Sequence, residues 1–173
     1  MAWLIGYDSI KEPVLIDKFC LIVGKALCLA SDFESKCEFV YKAIKLNSEL
    51  DEEDPKLLDS MQRLLKKLEY YSLGKMITDL QNLKITQGDV MLIERAKDAR
   101  NYIAHEGALL GLLSEVNAND IEKKLLHLRR EISFLIKGDN LISSWVYEIE
   151  DKEPAPSEIQ RLYPKWIKKW VFG

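Results

Sequence analysis

The sequence has little of what builds disulfide frameworks, zinc ribbons and tight turns. Cysteine occurs three times, at Cys20, Cys28 and Cys37, with no Cys-x-x-Cys pair. An odd count at these spacings fits neither a disulfide framework nor a structural zinc site. All three fall in one apolar helical stretch, where a free Cys acts as a small hydrophobe, so all are expected to be buried. Glycine (8) and proline (5) are few among 173 residues, which excludes a collagen-like or linker-like chain and weighs against a turn-rich β fold. No apolar run is long enough to span a bilayer: the longest, Phe19 to Ala30, is short and contains Lys25. The start, Met1 to Asp8, lacks the basic region of a secretory leader. A soluble, cytoplasmic protein with no membrane contact is the expectation. No single charge sign prevails: 25 basic and 28 acidic residues give −3. That excludes a surface basic all over, of the kind that binds nucleic acid everywhere. Only two histidines, His105 and His127, can carry protons near neutral pH. A Walker loop, a dinucleotide glycine fingerprint, a nucleophile elbow and a zinc-protease motif are all missing.

What is present reads as helix. The length suits one domain with a core that needs no staple. Hydrophobic residues make up 47% and charged residues 31%, which is a globular balance rather than a disordered one. Four long segments repeat apolar residues at three and four, and none alternates as a strand. The first runs from Pro13 to about Leu46, with Leu15, Phe19, Ile22, Ala26, Leu29 and Phe33 in step. An acidic loop, Glu49 to Asp54, leads to Asp54-Pro55, a helix-start pair. The second helix carries Leu57, Met61, Leu64, Leu65 and Leu68, and continues or restarts through Gly74 to about Leu83. Thr86 caps a third helix from Asp89 to Ser114. Asn119-Asp-Ile-Glu122 opens a fourth, with Ile121, Leu125, Leu128, Ile132 and Leu135, which Gly138 is expected to end. Asn140 then starts a shorter helix, Leu141 to Glu150. Pro154 and Pro156 break the chain before an amphipathic helix or tail, Ser157 to Gly173. The expected fold is all-α: an up-and-down four- to five-helix bundle with additional C-terminal helices. Residues 1–150 form the bundle, and 151–173 pack on it.

The third helix carries the chemistry. Ile93, Ala96, Ile103, Gly107 and Leu110 keep an apolar rhythm, and Arg100 stands where an apolar residue belongs. Such local rule-breaking marks sites. Asn101 and His105 are four apart and share a face, with Glu94 and Asp98 nearly in line. Arg100 and His105 are five apart, about 140° around an ideal helix. Glu94, Asp98 and His105 match no recognised metal site, so neither metal nor cofactor is expected. Ala104, Gly107, Ala108 and Gly111 make the helix small-sided, suited to close approach inside the bundle or across a dimer seam.

Arg100-Asn101-x-x-x-His105 resembles the Arg-x(4–6)-His motif of the HEPN superfamily of helical bundles, in which a polar residue often follows the arginine. The placement late in the bundle is also similar, and the resemblance covers about Pro13 to Ile136. It implies a metal-independent endoribonuclease with RNA as substrate, working as a homodimer whose two motifs face across a cleft. It also implies the role of toxin or defence effector, with an antitoxin or defence-system partner. Arg100, Asn101 and His105 would be catalytic, with Glu94, Asp98 and Tyr102 in support. The residues suit the chemistry: His moves protons, Arg presents a planar fork to a phosphorane, and two-fold symmetry doubles the single His105. One departure stands out. Where a branch of the family carries a modified Tyr two residues after the His, this chain has Gly107.

Simpler readings stand beside these. Arg100 fits a salt bridge to another helix, and His127, among leucines, fits a structural role. The C-terminal Lys165, Trp166, Lys168, Lys169 and Trp170 suit RNA contact. They equally suit a membrane surface, or Trp packed on the body with Lys in water. The alternative function is a non-catalytic helical interaction or regulatory module of the same fold. A nucleotide-binding bundle is a third.

Overall fold

The computed structural model describes residues 13–50, 55–80, 86–107 and 118–173. The helices are α1 (Pro13–Glu49), α2 (Leu57–Leu68), α3 (Leu73–Leu80), α4 (Gln87–Tyr102), α5 (Ala118–Asp151) and α6 (Ser157–Phe172). A π turn, Ile103–Gly107, continues α4. There is no strand among the described residues, so the protein is all-α. No described helix is long and apolar enough to cross a membrane.

The core follows the apolar rhythm. From α1 it takes Phe19, Ile22, Ala26, Ala30, Phe33, Cys37 and Val40, all buried. From α5 it takes Ile121, Leu125, Leu128, Ile132, Leu135 and Ile142, spaced alternately at three and four apart from one polar step. Alternate three-four spacing keeps one stripe facing its neighbours. Removing a side chain such as Leu135, fully buried, would cost about 2–5 kcal/mol. Helix α4 lies antiparallel to α5: Arg95 meets Glu131, and Tyr102 meets His127. Helix α1 runs beside α5 in the same sense, with Lys36 at Asp139.

The expected break at Gly138 is absent, and α5 runs on to Asp151. Gly138 is buried where a Cβ would overlap the Ala96 Cβ of α4, with Phe33 close by. Its missing side chain lets two helices meet rather than ending one. The polar step in the α5 rhythm is Asp139, fully buried. It accepts from Lys36 Nζ at 3.0 Å and from the Tyr163 hydroxyl of α6. One carboxylate thus joins three helices. Burial pushes the Asp139 carboxyl up, against the pull of Lys36 and Tyr163. Burial and then the same carboxylate push the Tyr163 phenol up.

Asn140 starts no helix either. Pro164 sits inside α6 and has no N–H to give to the carbonyl four residues back. That carbonyl belongs to Gln160, and Asn140 Nδ2 donates to it at 2.9 Å. Lys25 Nζ likewise donates to the Trp170 carbonyl in the last turn, at 2.7 Å. Two orphan acceptors of α6 are thereby met from α5 and α1.

Three smaller expectations also change. Cys37 is buried, but Cys20 and Cys28 are exposed on the outer side of α1. Helix α2 begins with Lys56 at its cap position and no side-chain cap, and Pro55 lies in the turn before it. Asp54 lies outside the described residues. Asn119 lies inside α5, which begins at Ala118, so it is not a cap. Thr86 does cap α4, accepting from the Asp89 N–H at 3.2 Å. Helix α3 restarts at Leu73 behind Ser72, whose Oγ accepts from the Lys75 N–H. The Tyr41 hydroxyl donates to Asp79 at 2.7 Å and ties α3 to α1. The later part of the expected third helix, Ala108 to Ser114, lies outside the described residues.

Candidate functional site

The motif sits at the C-terminal end of α4 and in the π turn. Ile93, Ala96, Ala99 and Ile103 are buried and fix the inner side of the helix. Ala99, not Arg100, is the buried residue at that step. This sets Arg100 on the flank of α4 that meets α1, with its side chain 21% exposed. Its Nη2 donates to Glu34 of α1, and its Nη1 donates to Asn101 Oδ1 at 3.2 Å. Its Nε is buried and has no partner among the described residues. A groove of about 510 Å³ lies against this guanidinium, between α1, the start of α3 and α4. Asn101 lines it as well, but His105 does not.

Asp98, Asn101 and His105 are all exposed, on the outward side of α4. The Ile103 N–H is shared between the Ala99 and Arg100 carbonyls where the helix widens into the π turn. A π segment adds a residue to the turn and changes the angular offset across it. The offset of about 140° between Arg100 and His105 therefore holds only for an ideal α-helix. Gly107 closes the turn, and a Cβ there would lie 3.4 Å from Leu128 Cδ1.

The supporting residues divide. Asp98 is 60% exposed and lies 3.6 Å from Lys97. Glu94 is half-buried one turn earlier. Tyr102 is turned to the other flank, where its ring lies 4.3 Å from the His127 ring of α5. Burial, then Glu106 and Glu131, push the Tyr102 phenol up. Tyr102 is thus brought together with His127 rather than with Arg100. His127 Nε2 lies 3.5 Å from Glu131, whose two oxygens each accept from Arg95 Nη2 at 2.7 Å. Among the described residues no three His, Cys, Asp or Glu side chains converge on a metal position.

Lys165, Trp166, Lys168, Lys169 and Trp170 are exposed along α6, which Val171 anchors from below. Lys25 lies 5.9 Å from the Trp170 ring and adds a charge from α1.

Sequence reasoning missed Glu34, Glu131 and Asp139. Asp139 had a signal: it keeps step with Leu128, Ile132, Leu135 and Ile142 at a position that should be apolar. Reading Gly138 as a helix end hid it. Glu34 and Glu131 each adjoin a core residue, Phe33 and Ile132, but a position at the edge of an apolar stripe carries either a charge or an apolar group. Compared with family models, curated proteins and solved structures, the chain matches none.

Proposed function

We propose that the protein is a metal-independent endoribonuclease carried on an up-and-down helical bundle. Arg100, Asn101 and His105 are its catalytic residues. The observation that carries this reading is the exposed His105 on a π turn directly after the Arg100–Asn101 pair. Single π turns inside α-helices occur frequently at functional sites. In this reaction a ribose 2′-oxygen attacks the adjacent phosphorus and the 5′-oxygen leaves. The 2′-hydroxyl proton passes to a base, and a proton is given to the departing oxygen. The products carry 2′,3′-cyclic phosphate and 5′-hydroxyl ends. His105 suits the proton transfers, and Arg100 suits the charge on the phosphorane. One His per motif serves two jobs only if two copies pair, so the reading includes a homodimer with both motifs at the seam. The exposed Lys and Trp residues of α6 suit a single RNA strand by charge and stacking. A toxin or defence role with a protein partner follows from the HEPN resemblance alone.

The ion pair of Arg100 with Glu34 favours a second reading, a non-catalytic module in which the arginine only braces α4 against α1. One experiment separates the two. The purified protein should cut RNA in EDTA, and Arg100→Ala and His105→Ala should each lower cutting at least a hundredfold while thermal unfolding stays cooperative. Cutting that persists in both variants, or none by the parent protein on any RNA, rejects the nuclease.

A further inference from the structure

Arg100 is incompletely partnered. Glu34 takes one N–H of Nη2, Asn101 takes one of Nη1, and Nε is buried without a partner among the described residues. Nε and Nη2 form the side-on edge of the guanidinium, which grips two oxygens of one anion in parallel. Glu34 accepts from Nη2 and leaves Nε empty. A buried donor left empty is costly, so an anion that fills both places has an advantage over the single carboxylate oxygen now there.

The groove beside it is built for a polar guest. Ser31, Glu34, Ser35 and Glu38 line its α1 wall, and Ser72 lines it at the start of α3. Residues 31, 34 and 35 are three and four apart and share one face of the helix. Ser35 spends its proton on the Ser31 carbonyl at 3.0 Å, whereas Ser72 accepts the Lys75 N–H at 3.3 Å and keeps its own proton to donate.

We propose that this groove receives one phosphodiester unit of a single RNA strand, and that Glu34 is its latch. With the groove empty, Glu34 holds Arg100. A phosphate displaces it and takes Nε and Nη2 together. The substrate class rests on the nuclease reading, whereas the latch does not. Glu34 is then a positioning residue, acting only through Arg100. The apparent affinity is the intrinsic affinity multiplied by the fraction of molecules in which Arg100 is released.

The test is binding of a fluorescent 2′-O-methyl RNA decamer, which cannot be cut by this chemistry, followed by anisotropy in EDTA. If the latch is closed in about nine molecules of ten, Glu34→Gln tightens binding about tenfold. Arg100→Ala abolishes that gain, and Ser35→Trp, which fills the groove, weakens binding. Glu38→Gln removes the same charge from the same groove, where Glu38 pairs with Lys42 at 2.5 Å, and leaves binding nearly unchanged. The Arg100 Nε–H resonance shifts when the decamer binds, and does so at lower concentration in Glu34→Gln. The latch is overturned if Glu34→Gln binds no tighter than the parent, if Glu38→Gln tightens binding as much, or if the Nε–H resonance does not move. Tighter binding by Glu34→Gln, with unmodified RNA left uncut by the parent, supports the latch and rejects the nuclease instead.

Discussion

Gly138 and Gly24 both lie in the middle of long helices, where each gives up about 1 kcal/mol of helix propensity against alanine. Only Gly138 has a visible reason, the Ala96 Cβ against which it rests. A Cβ at Gly24 would meet nothing within 4 Å. The same substitution should therefore have opposite signs. Gly24→Ala should stabilise by about 0.5–1 kcal/mol. Gly138→Ala should destabilise by about 1–3 kcal/mol, because α4 and α5 must part. Thermal unfolding of the two variants checks both signs. At this scale the sequence was only partly legible. Arg100 was expected to break the apolar rhythm of its helix, but Ala99 keeps that rhythm, and Arg100 is half-buried on a flank with a charged partner. Its partner Glu34 was not legible, because nothing in α1 says which helix will lie beside residue 34. That pairing is made by packing across 66 residues of chain.

Helices as units were legible from periodicity, and their ends were not. The α5 core positions continue through Leu135 and Ile142 without a change of phase, yet a glycine and an asparagine two residues apart look like a stop signal. Each is explained by a different helix: Gly138 by α4, and Asn140 by α6. A stop signal is local, and the reason both residues are there is not. The Asn140–Pro164 relation makes a testable double cycle. Asn140→Ala should cost about 1 kcal/mol in the parent, since it strips the Gln160 carbonyl of its donor. Pro164→Ala restores an N–H at the position that faces that carbonyl, so the cost of Asn140→Ala should shrink in that background. Equal costs in both backgrounds, read by denaturant unfolding, would mean that the amide serves some other purpose.

The pH response belongs to the whole molecule, because two carboxylates pull it in opposite directions. The Tyr41 hydroxyl bond, then Lys75, hold the Asp79 carboxyl below its usual range against partial burial. Its stabilising contribution is full above the usual carboxylate range and is lost as pH falls through its lowered value. Asp139 is pushed up by burial, so its contribution is present below that range and is lost as pH rises through the raised value. Asp79→Asn should flatten the acid side of a stability–pH curve, and Tyr41→Phe should do so in part. Asp139→Asn should steepen the fall toward acid, whatever it does to stability at neutral pH. Chemical denaturation at a series of pH values gives both slopes, and slopes that match the parent would place these two shifts elsewhere.

The junction at Asp139 also bears on how the chain is made. Lys36 precedes the carboxylate by 103 residues, and Tyr163 follows it by 24. During synthesis the lysine is waiting when α5 emerges, but the phenol is still to come. Until residue 163 has left the ribosome, a dehydrated acid at the centre of three helices has one of its two partners missing. A chain that stops short of residue 163 would therefore bury this acid with one of its two bonds unmade.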